Sequence, residues 1–172
     1  YSINSLAHYY GSQPYSSEHT AVNNWLISLI TFGEGYHNFH HTFPYDYRNG
    51  VRWYQFDPSK TVIWVLNKLG LASNLKKVSD FQIAKALIRE DEKQIVKKIQ
   101  MNENLEPAKR NMLAEEIQRL AQDLRTRLEQ IQESAKRNVS SFALEKAERD
   151  ETYRDCLMEW YKVCNQYLAA AK

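Results

Sequence analysis

The stretch LAEEIQRLAQDLRTRLEQIQESA, residues 113–135, decides the fold class of this chain. Its apolar side chains recur at steps of three and four residues, at Leu113, Ile117, Leu120, Leu124, Leu128, Ile131 and Ala135. That period places a single apolar stripe along one side of an amphipathic helix. The stripe therefore predicts a mainly α chain in which this helix packs against others.

Two further helices are predicted, one on each side of this one. We expect helices over about 80–103, 107–137 and 141–170, folded on one another as a coiled coil, a hairpin or a three-helix bundle. The last helix carries its own apolar stripe, formed by Tyr153, Leu157, Trp160, Cys164 and Leu168. Acidic and basic residues are equally numerous over 80–172, which indicates solvated outer faces. We interpret this segment as a charged, amphipathic helical extension with a structural or partner-binding role.

The overall composition excludes several classes of function. The 172 residues carry 23 Lys and Arg against 21 Asp and Glu, a net charge of +2 without a block of like charge, so no nucleic-acid partner is expected. Cys156 and Cys164 stand eight residues apart on one predicted helix, roughly 12 Å along its axis, and are interpreted as reduced thiols. The longest apolar run, residues 25–32, is much shorter than the roughly 20 residues that span a bilayer.

Residues 1–79 differ from the extension in composition, because they hold every His and every Gly of the chain. One helix is predicted from His19 to near Gly33, and an amphipathic helix is predicted over 58–72. The second helix could pack on a core. It could also lie in a membrane interface, with its apolar side in the lipid and its lysines among the headgroups.

Three of the five histidines fall within the stretch GYHNFHHT. On a helix, His37, His40 and His41 project within an arc of about 100°, which forms a face of potential metal ligands. Asn4 and His8 stand four residues apart upstream and would share one face of another helix. Neutral imidazole binds Fe, Zn, Cu or Ni, and the spacing alone does not separate zinc from iron. The cluster therefore predicts a metal site.

Two acidic residues near this cluster each allow two interpretations. Glu34 could accept a hydrogen bond from the ring N–H of a metal-bound histidine, or it could be a solvated residue at a helix end. Asp46 with Arg48 could brace the metal motif from below, or the two could form a surface ion pair near a turn. His19 lies in the polar stretch SSEHTAV and is left outside the predicted site.

Several motifs together resemble a known family. The stretches NSLAHYYGSQPY and FGEGYHNFHHTFPYDYR, followed by W, DPSK and a GLA before LKKVS, resemble the C-terminal part of the membrane-bound fatty acyl-CoA desaturases of the stearoyl-CoA, or delta-9, type. The resemblance covers about residues 1–79. It implies a helical part of the cytosolic di-iron cap of an integral membrane enzyme, with this segment on the cytosolic side. The tail over 80–172 departs from the family pattern.

The resemblance also implies a ligand set. The last histidine box of the family corresponds here to His37, His40 and His41. A further ligand corresponds to His8, and Asn4 would hold one metal through a water. Family members bind two non-haem Fe ions, whose other ligands belong to two upstream histidine boxes. Four histidines cannot close both sites, so we expect this chain alone to bind metal weakly and to have no desaturase activity.

The reaction implied by the family is O2-dependent. An oxidoreductase of this type introduces a cis double bond, here expected at delta-9, into a saturated acyl chain while O2 is reduced to water. The expected partners are a fatty acyl-CoA or other acyl substrate, O2, the membrane, and a cytochrome b5-like or ferredoxin-like electron donor. No substrate-binding residue is assigned.

Two alternatives remain open from the sequence. Membrane di-iron fatty acid hydroxylases share histidine boxes, so the product could be an alcohol rather than an alkene. The chain could also be a non-catalytic remnant whose helical tail is an interaction module. It begins at Tyr1 without Met or a signal peptide, which suggests a segment of a longer parent chain.

Overall fold

This computed structural model describes residues 8–137, 146–148 and 150–170, with the side chains of 168–170 excepted. Six α-helices and no β-strand lie within these residues. The helices are α1 Trp25–Ile30, α2 His37–Thr42, α3 Pro58–Lys68, α4 Asp80–Met101, α5 Pro107–Arg137 and α6 Glu151–Ala170. The predicted mainly α class is confirmed. The chain divides into two compact units, Tyr1–Ser79 and Asp80–Lys172.

Helix α1 is much shorter than the helix predicted from His19. Asn23 forms isolated antiparallel bridges with both Ser12 and Tyr36, so the backbone before α1 is extended rather than helical. Asn24 then caps α1, and its side chain accepts hydrogen bonds from the N–H groups of the first turn. The prediction of a helix from residue 19 was wrong because a strong N-cap and non-local pairing take precedence over the apolar pattern.

Helix α3 begins at Pro58, as predicted, and ends at Lys68 rather than near residue 72. The carboxylate of Asp57 fixes its start, because one oxygen accepts from the N–H of Lys60 at 2.9 Å. The other oxygen accepts from the N–H groups of Asn49 and Gly50, at 2.7 and 2.8 Å. Asp57 therefore ties the preceding loop to the helix. None of the residues in α3 is fully buried.

The second unit is built from α4, α5 and α6, which all pack against one another. Its hydrophobic core is a cluster of buried residues: Phe81, Ala84, Ile88, Ile95, Ile99, Ile117, Ala121, Leu124, Leu128, Tyr153, Cys156, Trp160, Cys164 and Tyr167. The stripe predicted for α5 thus faces the core, and both cysteines are buried and free, as expected. The last helix of the bundle runs from Glu151 to Ala170, and the predicted helix start at residue 141 lies outside the described part of the chain.

One buried polar contact crosses this core. The indole N–H of Trp160 donates to a carboxylate oxygen of Asp91 at 3.0 Å, and burial raises the pKa of that carboxyl. Burial also raises the pKa of Cys164 to about 12, so this thiol stays protonated and packs as an apolar side chain. Among the described helices, none combines the length and the apolar character that a membrane crossing requires.

Candidate metal centre

Helix α2 has two chemically different faces. Asn38 and Phe39 are buried, whereas His40 and His41 on the same helix are exposed. The ring of Phe39 packs against those of Tyr15 and Phe43, with centroids 5.3 and 5.2 Å apart. The buried pair therefore anchors the helix, which leaves the imidazoles on its outer side.

Asn38 connects this helix to the preceding loop. Its side-chain oxygen accepts from the N–H of Tyr15 at 3.0 Å. Its amide group donates to the carbonyl oxygens of Ser16 and Ala21, at 2.7 and 2.9 Å. These three side-chain hydrogen bonds of Asn38 all go to the loop over residues 15–21. The loop is fixed against α2 as a result.

Three histidines converge beside this loop. The Nε2 atoms of His37 and His41 lie 3.0 Å apart. His8 offers a third nitrogen, and the three ligand atoms all lie within 4.8 Å of one another. Nδ1 of His8 lies 2.7 Å from the hydroxyl oxygen of Thr20, which leaves Nε2 of His8 as its ligand atom. The loop that Asn38 fixes therefore also orients His8.

The cluster favours neutral imidazoles. Burial, followed by the nearby imidazoles of His41, His8, His40 and His19, lowers the pKa of His37 from 6.5 to about 4. The pKa of His41 is lowered as well, by burial first and by neighbouring histidines second. A neutral ring keeps the nitrogen lone pair that a metal ion requires. Both side chains are therefore ready to bind a metal at neutral pH.

His40 takes a more peripheral position. Its ring stacks on that of His37 with centroids 6.1 Å apart and lies 5.9 Å from that of His41. His40 is exposed and is not one of the three residues whose nitrogens converge. Asn4, which the resemblance assigns to a metal-bound water, lies outside the described residues.

Glu34 and Asp46, the two acidic candidates, have different surroundings. Glu34 is exposed, and its backbone N–H donates to the carbonyl of Thr31. The carboxylate of Asp46 is fully buried. It accepts hydrogen bonds from Nε and Nη2 of Arg48, at 2.9 and 2.6 Å, and from the N–H of Val78. A surface ion pair is therefore the wrong description of Asp46 and Arg48, because both side chains are buried.

His19, which sequence reasoning left out, belongs to the same group of rings. Its centroid lies 5.3 Å from that of His41, and its Nε2 lies 3.3 Å from the hydroxyl oxygen of Thr42. All five histidines of the chain are thus linked through ring contacts. No local motif marks His19, because hydrogen bonds to a helix some twenty residues later position its loop. The sequence indicated the role of His19 only by containing a fifth histidine.

The geometry of the three converging nitrogens fits a transition metal. Two nitrogens bonded to one ion at about 2.1 Å and at a right angle lie about 3.0 Å apart. This separation matches the Nε2 atoms of His37 and His41. A nitrogen-rich, neutral donor set suits iron, zinc, copper or nickel. The site therefore has the features of a histidine-rich metal-binding centre that could hold such an ion.

Comparison with known proteins indicates which metal-binding enzymes the chain resembles. No family model matches the chain. It is 54% identical over 96 residues to acyl-CoA desaturase 1 of Saccharomyces cerevisiae, which covers 56% of this chain and 19% of that protein. It is 47% identical over 91 residues to a probable acyl-CoA desaturase of Schizosaccharomyces pombe, covering 53% and 19%. An acyl-CoA C20 Delta5-desaturase of Anemone leveillei is 41% identical over 78 residues, covering 45% and 25%.

These alignments confirm the predicted relation to the acyl-CoA desaturase family for about half of the chain. The chain spans about a fifth of the length of the two fungal relatives. An alignment of 96 residues is longer than the first unit, Tyr1–Ser79, so it also includes residues of the second unit. The similarity therefore extends past residue 79, further along the chain than predicted.

Proposed function

We propose that this chain forms one wall of the metal centre of an O2-dependent fatty acyl-CoA desaturase, an integral membrane enzyme that carries this segment on its cytosolic side. The convergence of His8, His37 and His41 carries the proposal, because it supplies three nitrogen ligands within 4.8 Å of one another. The similarity to acyl-CoA desaturases supports the choice of iron over zinc. His40 and Asn4 complete the proposed ligand set, Asn4 through a water.

The chemistry requires more than acids and bases. Two irons, held in part by His8, His37, His40 and His41, would supply the O2-dependent chemistry for removing hydrogen from an unactivated methylene, which no acid, base or nucleophile of the chain could attack. In the overall reaction the acyl chain loses two hydrogens and gains a cis double bond. O2 accepts those hydrogens together with two electrons and two protons from a donor and solvent, and leaves as two waters.

The residues of this chain contribute by holding and orienting the ligands. The hydroxyl of Thr20 fixes Nδ1 of His8, and the buried anchor Asn38 fixes the loop that carries Thr20. The lowered pKa of His37 keeps its ring neutral without a metal. Such preorganisation reduces the rearrangement needed on metal binding. Four histidines still fall short of two full coordination spheres, so we propose that the isolated chain binds metal weakly and does not desaturate.

We also propose a position for the double bond and a class of electron donor. We place the double bond at delta-9, on the delta-9-type motifs and on 42% identity over 87 residues to an Arabidopsis thaliana protein named Delta-9 desaturase-like 2. The Anemone relative is named for Delta5, and product analysis distinguishes the two positions. The electron donor is proposed to be cytochrome b5-like or ferredoxin-like.

The membrane is proposed to cover an apolar surface of the first unit. Large apolar side chains on α1, α3 and the turns that follow them are at least half exposed: Trp25, Ile30, Phe32, Val62, Trp64 and Leu69. The hydroxyl of Ser59 donates to the carbonyl of Phe32 at 3.0 Å, so the end of the α1 segment lies beside the start of α3. Lys68 extends over the ring of Trp64, as a lysine at the edge of an interfacial helix does. The interfacial interpretation of residues 58–72 is favoured over packing on a core, because no residue of α3 is fully buried.

The test uses the longer protein that contains this chain, expressed in cells that lack acyl-CoA desaturase. Gas chromatography with mass spectrometry should detect a new cis-unsaturated acyl chain. Replacing His37 with Ala should abolish that product and lower the iron content, while Glu133→Gln on the exposed side of α5 should preserve both. An alcohol product would instead identify a hydroxylase. An iron-loaded, folded protein without any oxidised product would favour the non-catalytic alternative.

A further inference from the structure

The ring of the fifth histidine, His19, lies beside the three converging histidines. The centroid of the His19 ring is 5.3 Å from that of His41, between the 5.0 and 5.8 Å that separate His8 from His37 and His41. His19 reaches this position from the loop that the buried Asn38 holds, twenty-two residues from His41 in sequence. Its proximity is thus fixed by the fold.

The hydrogen bonds around His19 determine its tautomer. The hydroxyl of Thr42 donates its proton to the carbonyl of Asn38 at 2.7 Å. Its oxygen is then an acceptor, so the Nε2 atom of His19, 3.3 Å away, carries the proton and donates. In a neutral ring the other nitrogen, Nδ1, must then hold a bare lone pair.

That lone pair has no protein donor. Nδ1 of His19 is buried and has no hydrogen-bond partner among the described residues. A buried acceptor without a partner is unfavourable, and most such atoms in proteins are paired. Within a cluster of imidazoles, the group best suited to take an unpaired, unprotonated nitrogen is a metal ion. Thr42 would act as the second contact that fixes the ring of a histidine ligand.

We propose that His19 is a nitrogen ligand of the metal centre and binds a divalent transition metal through Nδ1. This inference rests on the proposed metal centre and adds a residue to it. His19 is not one of the three residues whose ligand atoms converge. Ligation through Nδ1 therefore requires the ring of His19 to move toward the other three when the ion binds.

The experiment titrates Zn2+, a diamagnetic substitute for iron, into the 172-residue chain with 15N-labelled histidine. Long-range 1H–15N correlation spectra report each ring nitrogen separately. We expect the Nδ1 resonance of His19 to move from the position of a free, unprotonated nitrogen to that of a metal-bound one. The Nε2 resonance should stay protonated, because Thr42 holds it. A purely structural histidine would leave Nδ1 unchanged.

Two substitutions separate the two nitrogens. His19→Gln places a donor amide near Nε2 and keeps the bond to Thr42, but it removes Nδ1. His19→Asn places its polar atoms nearer Nδ1 and loses that bond. Metal ligation predicts that His19→Gln weakens Zn2+ binding by about tenfold or more, with the amide spectrum otherwise preserved.

The outcomes distinguish the two proposals. Wild-type affinity in His19→Gln, or a stationary Nδ1 resonance, would overturn the role of His19 while the centre at His8, His37 and His41 stands. If no histidine nitrogen responds to Zn2+, the metal centre of this chain is overturned as well. If His19→Gln fails to fold, the Nδ1 resonance of the unaltered chain decides alone. Double-bond formation by the longer protein is measured independently of each of these results.

Discussion

The Nε2 atoms of His37 and His41 face each other at 3.0 Å across one turn of α2. Only one of the two atoms can carry a proton in this contact, so the other presents a lone pair to the same point in space. A metal ion bound to both nitrogens would replace this proton, and the ring that carried it would take a proton on Nδ1 instead. The pair is therefore the geometric centre of the candidate site.

Removing either ring of this pair should strongly weaken metal binding. We expect His37→Ala and His41→Ala each to lower the Zn2+ affinity of the 172-residue chain by more than the roughly 10–100-fold typical of a residue that only orients a ligand. Competition with a chromogenic chelator measures the affinity. His40→Ala is the matched control on the same helix, and it should have a smaller effect because His40 lies outside the three converging residues. An equal loss in all three variants would contradict the central role of the pair.

Local patterns in the sequence predict some of these features and not others. The stripe of α5 is local, because its spacing alone decides which side of the helix is apolar, and Ile117, Leu124 and Leu128 are buried as expected. The spacing of His37, His40 and His41 is equally local. The contact between His19 and His41 depends instead on the long-range hydrogen bonds of Asn38, which no period in the sequence reveals. The helix predicted from His19 fails for the same reason, since Asn23 pairs with distant residues.

Acid should destabilise the first unit before any metal is bound. The pKa of His37 is lowered from 6.5 to about 4 in the folded chain, whereas the unfolded chain binds this proton near pH 6.5. Between these values the unfolded state binds more protons than the folded state. The contribution of His37 is therefore fully present above pH 6.5 and is lost as the pH falls toward 4.

Urea unfolding at pH 7, 5.5 and 4.5 measures this effect, followed through the amide signals of α2. The matched variant is His37→Asn, which cannot titrate in this range. We expect the free energy of unfolding of the unaltered chain to fall more steeply with acid than that of the variant. Parallel curves would assign the acid sensitivity to other groups.

Asn38 should be the most important polar anchor of the site. Asn38→Ala removes the three side-chain hydrogen bonds to the N–H of Tyr15 and the carbonyls of Ser16 and Ala21, although the carbonyl of Ala21 keeps the bond from the side-chain amide of Gln13. Because a buried polar group that loses its hydrogen bond costs about 1–3 kcal/mol, we expect a loss of about 2 kcal/mol or more in the free energy of unfolding. Urea denaturation measures the loss. Asn111→Ala, at an exposed position, should change stability by less than about 0.5 kcal/mol.

The same substitution tests how the loop positions the ligands. Without Asn38, the loop over residues 15–21 is no longer held against α2, and Thr20 no longer fixes His8. Zn2+ affinity should therefore fall in Asn38→Ala although no proposed ligand has been removed. Unchanged affinity in a folded variant would mean that the histidines converge without this anchor.

The ion pair between Asp46 and Arg48 should stabilise the first unit. The Asp46 carboxylate accepts two side-chain bonds from Arg48 and a backbone bond from Val78, 32 residues later in sequence. Asp46→Ala removes the carboxylate that balances the buried charge of Arg48, whose Nη2 keeps its bond to the carbonyl of Val78, and breaking a buried ion pair typically costs about 3–5 kcal/mol. Urea denaturation of the two chains measures the difference. The solvent-exposed pair of Glu133 and Lys136 provides the control, and Glu133→Gln should leave the midpoint unchanged.

The second unit should require all three of its helices. Phe81, Ile88 and Ile99 of α4 are almost completely buried, and α4 packs against both α5 and α6. A chain truncated after Asn102 would keep α4 but expose this apolar face, so we expect it to aggregate. A chain truncated after Ser79 removes that face together with its partners and should aggregate less than the longer truncation, with the His37 and His41 ring signals in place. Size-exclusion chromatography with light scattering compares the two. A monomeric, helical product of the longer truncation would mean that α4 is stable without α5 and α6.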